Sequence, residues 1–96
     1  MRTIKLMPDY ESYPLWEASP GATGNIDPSD LPISQSLTDR LLKWADAFDA
    51  TLNRDDPASS GFPDDDSKAA FSDEGRELEA LLKAELGADY SVISKL

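Results

Sequence analysis

Two stretches of the chain carry the same hydrophobic rhythm. Leu37, Leu41, Trp44, Phe48 and Leu52 recur at steps of four, three, four and four, and so do Phe71, Gly75, Leu78, Leu82 and Leu86, with Leu81 widening the second stripe. That spacing lines one face of an α-helix and predicts helices over Leu37–Leu52 and about Ser67–Leu86. The flanking residues agree. Ser34 or Ser36 can cap the first helix, and Asp39 favours the positive end of its dipole. Asp39 with Lys43 and Glu79 with Lys83 are pairs one turn apart, and Gly87 supplies a left-handed terminus to the second helix.

Before and after the helices the period changes to two. Ile4 and Leu6 alternate with Thr3 and Lys5, which predicts a half-buried strand over Thr3–Met7, ended by Pro8. Tyr13–Glu17 is a second extended piece; Pro14 withholds an amide donor, so this strand is expected to be short and at the periphery of the sheet. Ser19–Ile33, dense in Pro and Gly, predicts a loop. Within it Gly24–Pro28 is expected as an ordered turn, with Ile26 plugging the core and Asn25 or Asp27 bonding nearby backbone. Tyr90–Ser94 closes the chain as a strand with Tyr90 and Val92 on one face. The elements predict a single α+β domain spanning residues 1–96. Its sheet is small and mostly antiparallel, of two or three strands, with the terminal strands adjacent and two amphipathic helices covering one face. The expected core is Ile4, Leu6, Leu15, Leu37, Leu41, Trp44, Phe48, Leu52, Phe71, Leu78, Leu82, Leu86 and Val92.

Composition narrows the chemistry. The 96 residues contain no cysteine and no histidine. Disulfides, thiolate metal sites and thiol nucleophiles are thereby excluded, and so is the one side chain that titrates near neutrality without help. Catalysis would need carboxylates with strongly shifted pKa values, so a non-enzymatic role without cofactor or metal is expected. Acids outnumber bases 19 to 9, for a net charge of −10. Nucleic acids and anionic membranes, which are bound through clustered Lys and Arg, are poor partners for such a surface. The charge is also unevenly placed: Leu6–Asp39 holds six acids and Asp55–Asp66 five, with no base in either stretch. A basic protein partner fits this distribution, since complementary fields speed encounter; solubility alone is the competing explanation.

The motifs that resemble reactive sites fail on inspection. Asp56 followed by Gly61 is similar to the opening of a calcium loop, but Ala58 and Ser67 stand where ligands are required. Ser59-Ser60-Gly61 lacks the base or lysine that a nucleophile or phosphate cradle needs. No small-molecule substrate is implied. The N-terminal apolar run is too short for a signal peptide and no segment is long enough to span a membrane, so a cytoplasmic protein is expected. The final Ser94-Lys95-Leu96 matches a peroxisomal tripeptide but is read as the end of the closing strand. The acidic turn after the first helix and the carboxylates before the second make Asp55, Asp56, Asp64, Asp65 and Asp66, with Phe62 between them, the candidate partner-binding residues. Asp64–Asp66 also suit a helix N-terminus on dipole grounds alone.

Four stretches carry a family resemblance: Ile4-Lys5-Leu6-Met7-Pro8-Asp9-Tyr10, Tyr13-Pro14-Leu15-Trp16, Gly24-Asn25-Ile26-Asp27-Pro28, and Leu52-Asn53-Arg54-Asp55-Asp56-Pro57-Ala58-Ser59-Ser60-Gly61-Phe62. Together they resemble small bacterial immunity proteins of contact-dependent growth inhibition and related polymorphic toxin systems, over nearly the whole chain from Thr3 to Tyr90. The resemblance implies a protein kept in the toxin-producing cell that binds the C-terminal toxin domain, commonly a basic nuclease, and blocks its active site or substrate groove. It assigns no binding residues, so the candidates above rest on charge and position. The alternative is an acidic scaffold or regulatory module unrelated to toxins.

Overall fold

A computed structural model describes residues 1–52 and 61–96. The strands are β1 (Arg2–Leu6), β2 (Leu15–Glu17), β3 (Asn25–Ile26) and β4 (Tyr90–Ser94), and the helices α1 (Gln35–Asp49) and α2 (Asp65–Leu86). The four strands form one sheet in the order β3-β2-β1-β4. β1 pairs antiparallel with β2 and β2 antiparallel with β3, while β4 lies parallel to β1 with Ile4 opposite Val92. The fold is α+β as expected, and the two terminal strands are neighbours.

Two expectations about the sheet are corrected. The sheet has four strands, not two or three, because the turn around Asn25 pairs as a strand. Two residues are too few to show an alternation, and what fixes them is a side chain that imitates backbone. Asn25 Nδ2 donates to Tyr13 O at 2.7 Å and Leu15 O at 3.0 Å, and its Oδ1 accepts from Tyr13 N at 2.9 Å. Consequently β2 is an interior strand rather than a peripheral one. Pro14 does not forbid this, because it sits one residue before the ladder and contributes only its carbonyl, which accepts from Met7 N at 2.9 Å.

One face of the sheet builds the core. Ile4, Leu6 and Leu15 are fully buried with Leu37, Leu41, Leu78 and Leu82, and Ile26 and Val92 complete the layer. Alternation sends Trp16 to the other face of β2, where its indole N–H donates to Met7 O at 3.0 Å. Ser34 caps α1 by accepting from Leu37 N at 3.1 Å, and Glu85 near the end of α2 accepts from the Ser34 hydroxyl at 3.0 Å. The start of one helix is thus tied to the end of the other. Lys83 and Glu79 pair at 3.2 Å as their spacing predicts, whereas Asp39 accepts from Gln35 Nε2 at 2.8 Å instead of pairing with Lys43. The expected core members Phe48, Leu52 and Phe71 are only half-buried. Their stripes run past the region the short sheet covers, and the two phenylalanines join the core residue Trp44 in an aromatic cluster at the edge of the core.

Candidate functional site

The segment between the helices decides what the acidic end of the molecule looks like. After α1, Leu52 N donates to Asp49 O at 3.1 Å, and Gly61 N donates to Thr51 O at 3.0 Å, so the chain returns to the place it left. Gly61 has φ of 152°, a conformation that glycine tolerates without a Cβ penalty. Asp55 and Asp56, the first two candidate residues, lie outside the described residues.

Phe62, Asp64, Asp65 and Asp66 are brought together at the N-terminus of α2. Asp64 is the N-cap: its carboxylate accepts from Ser67 N at 2.7 Å. That backbone hydrogen bond, helped by the Ser67 hydroxyl, holds the carboxyl below its ordinary range. Asp65 and Asp66 follow in the first turn, both exposed, and their carboxylates have no hydrogen-bond or ion-pair partner among the described residues. Asp64 is therefore accounted for by the fold. Its two neighbours owe the fold only a favourable position on the helix dipole, and their charge is free to face another molecule.

Phe62 does not stand among the carboxylates as a lone exposed ring. It packs on Phe71 at 5.0 Å between ring centroids, and Phe71 stacks on Trp44 at 4.5 Å with the rings 6° from parallel. Phe48 lies 5.8 Å from Phe71 and stacks with Tyr10 at 4.6 Å, so five rings form a continuous cluster along the α1–α2 seam. The indole N–H of Trp44 donates to Phe71 O at 2.9 Å, which fixes the stacked pair across the two helices. Farther along the seam Arg40 bonds Glu74 through two nitrogens, at 2.7 and 3.3 Å, and reaches Glu77 at 3.3 Å. Between the aromatic cluster and this ion-pair network lies a groove of about 470 Å³ lined by Trp44, Ala47, Phe62, Ala70 and Phe71, with Arg40, Lys43, Ser67 and Glu74 at its margins. Sequence reasoning placed Phe62 at the site but missed the groove. The one available signal was the pair of exposed alanines, Ala47 and Ala70, on neighbouring helices.

A second concavity of about 340 Å³ lies beside the start of β2, with Glu11, Asp46 and Asp49 among its lining residues. Glu11 adopts φ of 57° and its N–H donates to Asp49 Oδ1 at 2.9 Å. Here the carboxylate of Asp49 holds the chain between β1 and β2 against α1. Among the described residues no group of three or more His, Cys, Asp or Glu side chains could hold a metal ion, and no helix is long and apolar enough to cross a membrane.

Comparison with known proteins adds a family. A family model described as Serratia CdiI immunity protein-like matches residues 2–94. Among curated proteins none matches the chain.

Proposed function

We propose, from the premise that the chain belongs to the Serratia CdiI immunity protein-like family, that it neutralises its cognate toxin by covering a basic surface of the C-terminal toxin domain. The toxin is read as a nuclease, because an enzyme that grips nucleic acid presents the cationic groove that a surface of this charge fits. The single observation that carries the reading is the α2 N-terminus. Asp65 and Asp66 are exposed there with no partner among the described residues, three and four residues after Phe62. The net charge of −10 gives the same field at longer range. Asp55 and Asp56 extend the acidic run in sequence and are included in the proposed interface with Asp64, Asp65, Asp66 and Phe62. Action by occlusion in the cytoplasm, without catalysis or cofactor, fits a chain that lacks both cysteine and histidine.

The test is association with its cognate C-terminal toxin domain. Asp65→Lys with Asp66→Lys should lower the association rate about tenfold or more at low salt and flatten its dependence on ionic strength. The same pair changed at Asp55 and Asp56 reports whether those residues share the interface. Unchanged kinetics and unchanged salt dependence in both variants would remove the acidic interface. Failure of the wild-type protein to bind or protect against the toxin would remove the toxin reading itself and favour a scaffold role.

A further inference from the structure

Large aromatic side chains in a domain of this size normally disappear into the core, yet Phe62 and Phe71 remain half-buried beside a groove of about 470 Å³. The groove exists because Ala47 and Ala70, both exposed, stand where longer side chains would fill the space. Its floor is rigid: Trp44 is 3% exposed, stacked on Phe71, and held by its hydrogen bond to the Phe71 carbonyl. Its volume falls within the range of about 300–1,000 Å³ typical of ligand-sized pockets, ample for one large apolar side chain.

Charge identifies what kind of chain would deliver that side chain. At one end of the groove Ser67 adjoins the exposed carboxylates of Asp64, Asp65 and Asp66. At the other end Arg40 is engaged by Glu74 and Glu77, which neutralises that cation. Lys43 is the remaining cation on the margin. A second copy of this protein, itself at −10, would be repelled, and so would an anionic lipid surface. We infer that the groove receives an apolar anchor residue of the toxin domain, carried on a segment whose neighbouring residues are Lys or Arg. The inference rests on the toxin-binding reading above. It assigns the apolar contact of that interface to the α1–α2 seam, while the carboxylates meet the flanking cations. This division suits a protein interface, in which a buried apolar or aromatic anchor supplies much of the affinity and surrounding charges set the encounter rate.

The experiment fills the groove from its exposed walls. Ala70→Trp and, separately, Ala47→Leu place bulk in the space without touching the buried core, and Ala80→Trp on an exposed part of α2 serves as the control. Each is measured for binding to the purified cognate C-terminal toxin domain, with circular dichroism and thermal unfolding as checks on the fold. Both groove variants should lose at least about tenfold in affinity, mainly through faster dissociation, with the control unchanged. Equal affinity for the wild type and both filled variants overturns the groove assignment. If the acidic variants still bind weakly in that case, the toxin reading stands without it. No binding by the wild type overturns both. If a filled variant does not fold, the wild type decides: the indole N–H resonance of Trp44 should shift when toxin is added, and a resonance that stays in place under saturation overturns the assignment.

Discussion

Gly75 occupies a position on the buried stripe of α2 where every other member is a large apolar residue. A Cβ built there would lie 2.9 Å from Trp44 Cζ2 and 2.9 Å from Leu96 Cδ2. The Leu96 side chain is half-exposed and can swing away, but the indole is 3% exposed and pinned by its hydrogen bond to Phe71 O. Two effects then oppose each other in Gly75→Ala. The helix gains about 1 kcal/mol from replacing glycine, while forcing extra volume into a packed contact costs about 1–3 kcal/mol. Because the obstructing group is the fixed one, the clash should win, with a net loss of about 1 kcal/mol and a red shift in tryptophan emission as the indole is displaced. A thermal midpoint that rises, with unchanged emission, would show that the Trp44–Phe71 stack is looser than its geometry implies.

The elements differ in how plainly the sequence announces them, and β3 is the hidden one. Its two residues hold their place through Asn25, whose side chain makes three hydrogen bonds to the backbone of Tyr13 and Leu15. Asn25→Ala removes all three. Since a typical intramolecular hydrogen bond contributes about 0.5–1.5 kcal/mol net and this site is exposed, a total loss of about 1–2 kcal/mol is expected. Hydrogen exchange should locate it, with the amides of Tyr13 and Glu17 losing protection while α2 keeps its own; a uniform change across the protein would count against a local role for Asn25. The helices were legible because a 3.6-residue period sustained over several turns matches neither the alternation of a strand nor the irregularity of a loop, and because Ser34 and Asp64 sit at the ends as caps. β3 was not, since no period can show in two residues. The stripes named the inward faces correctly but said nothing of how far the sheet extends beneath them, which is why Phe48, Leu52 and Phe71 were placed too deep. Likewise the carboxylates of the site were visible as charge, but the groove depends on which residue of α1 faces which residue of α2, a tertiary fact.

For the whole molecule, pH and salt act on two opposed electrostatic contributions. The excess of 19 acids over 9 bases is a diffuse repulsion that destabilises the compact state at neutral pH and is relieved by salt or by protonation. Against it stand carboxylates that the fold holds below their ordinary pKa: Glu17 by the Ser19 hydroxyl and then Arg2, Asp27 by the hydroxyl and N–H of Ser29, Asp64 by Ser67 N–H, and Glu79 by the Ser94 hydroxyl and then Lys83. A carboxyl whose folded pKa is depressed contributes stability that is fully present above its unfolded value, 3.8 for Asp and 4.5 for Glu, and lost as pH falls through that value toward the lower folded one. The two contributions therefore separate along the pH axis. Between neutrality and the ordinary carboxylate range, mild acidification or added salt should raise the thermal midpoint by easing repulsion. Below that range the midpoint should fall, because these carboxylates must take up protons the fold resists. Salt distinguishes the limbs, since hydrogen bonds between adjacent groups are screened far less than dispersed charge. Adding sodium chloride at pH 7 should raise the midpoint measurably, and Asp27→Asn together with Glu17→Gln should make the acid limb shallower while the neutral salt response, carried by the remaining acidic excess, persists in reduced form. A midpoint that climbs without a maximum as the pH is lowered to about 3 would show that relief of repulsion outweighs every one of these local bonds, and that the negative charge placed on this surface strains the fold more than its contacts restrain it.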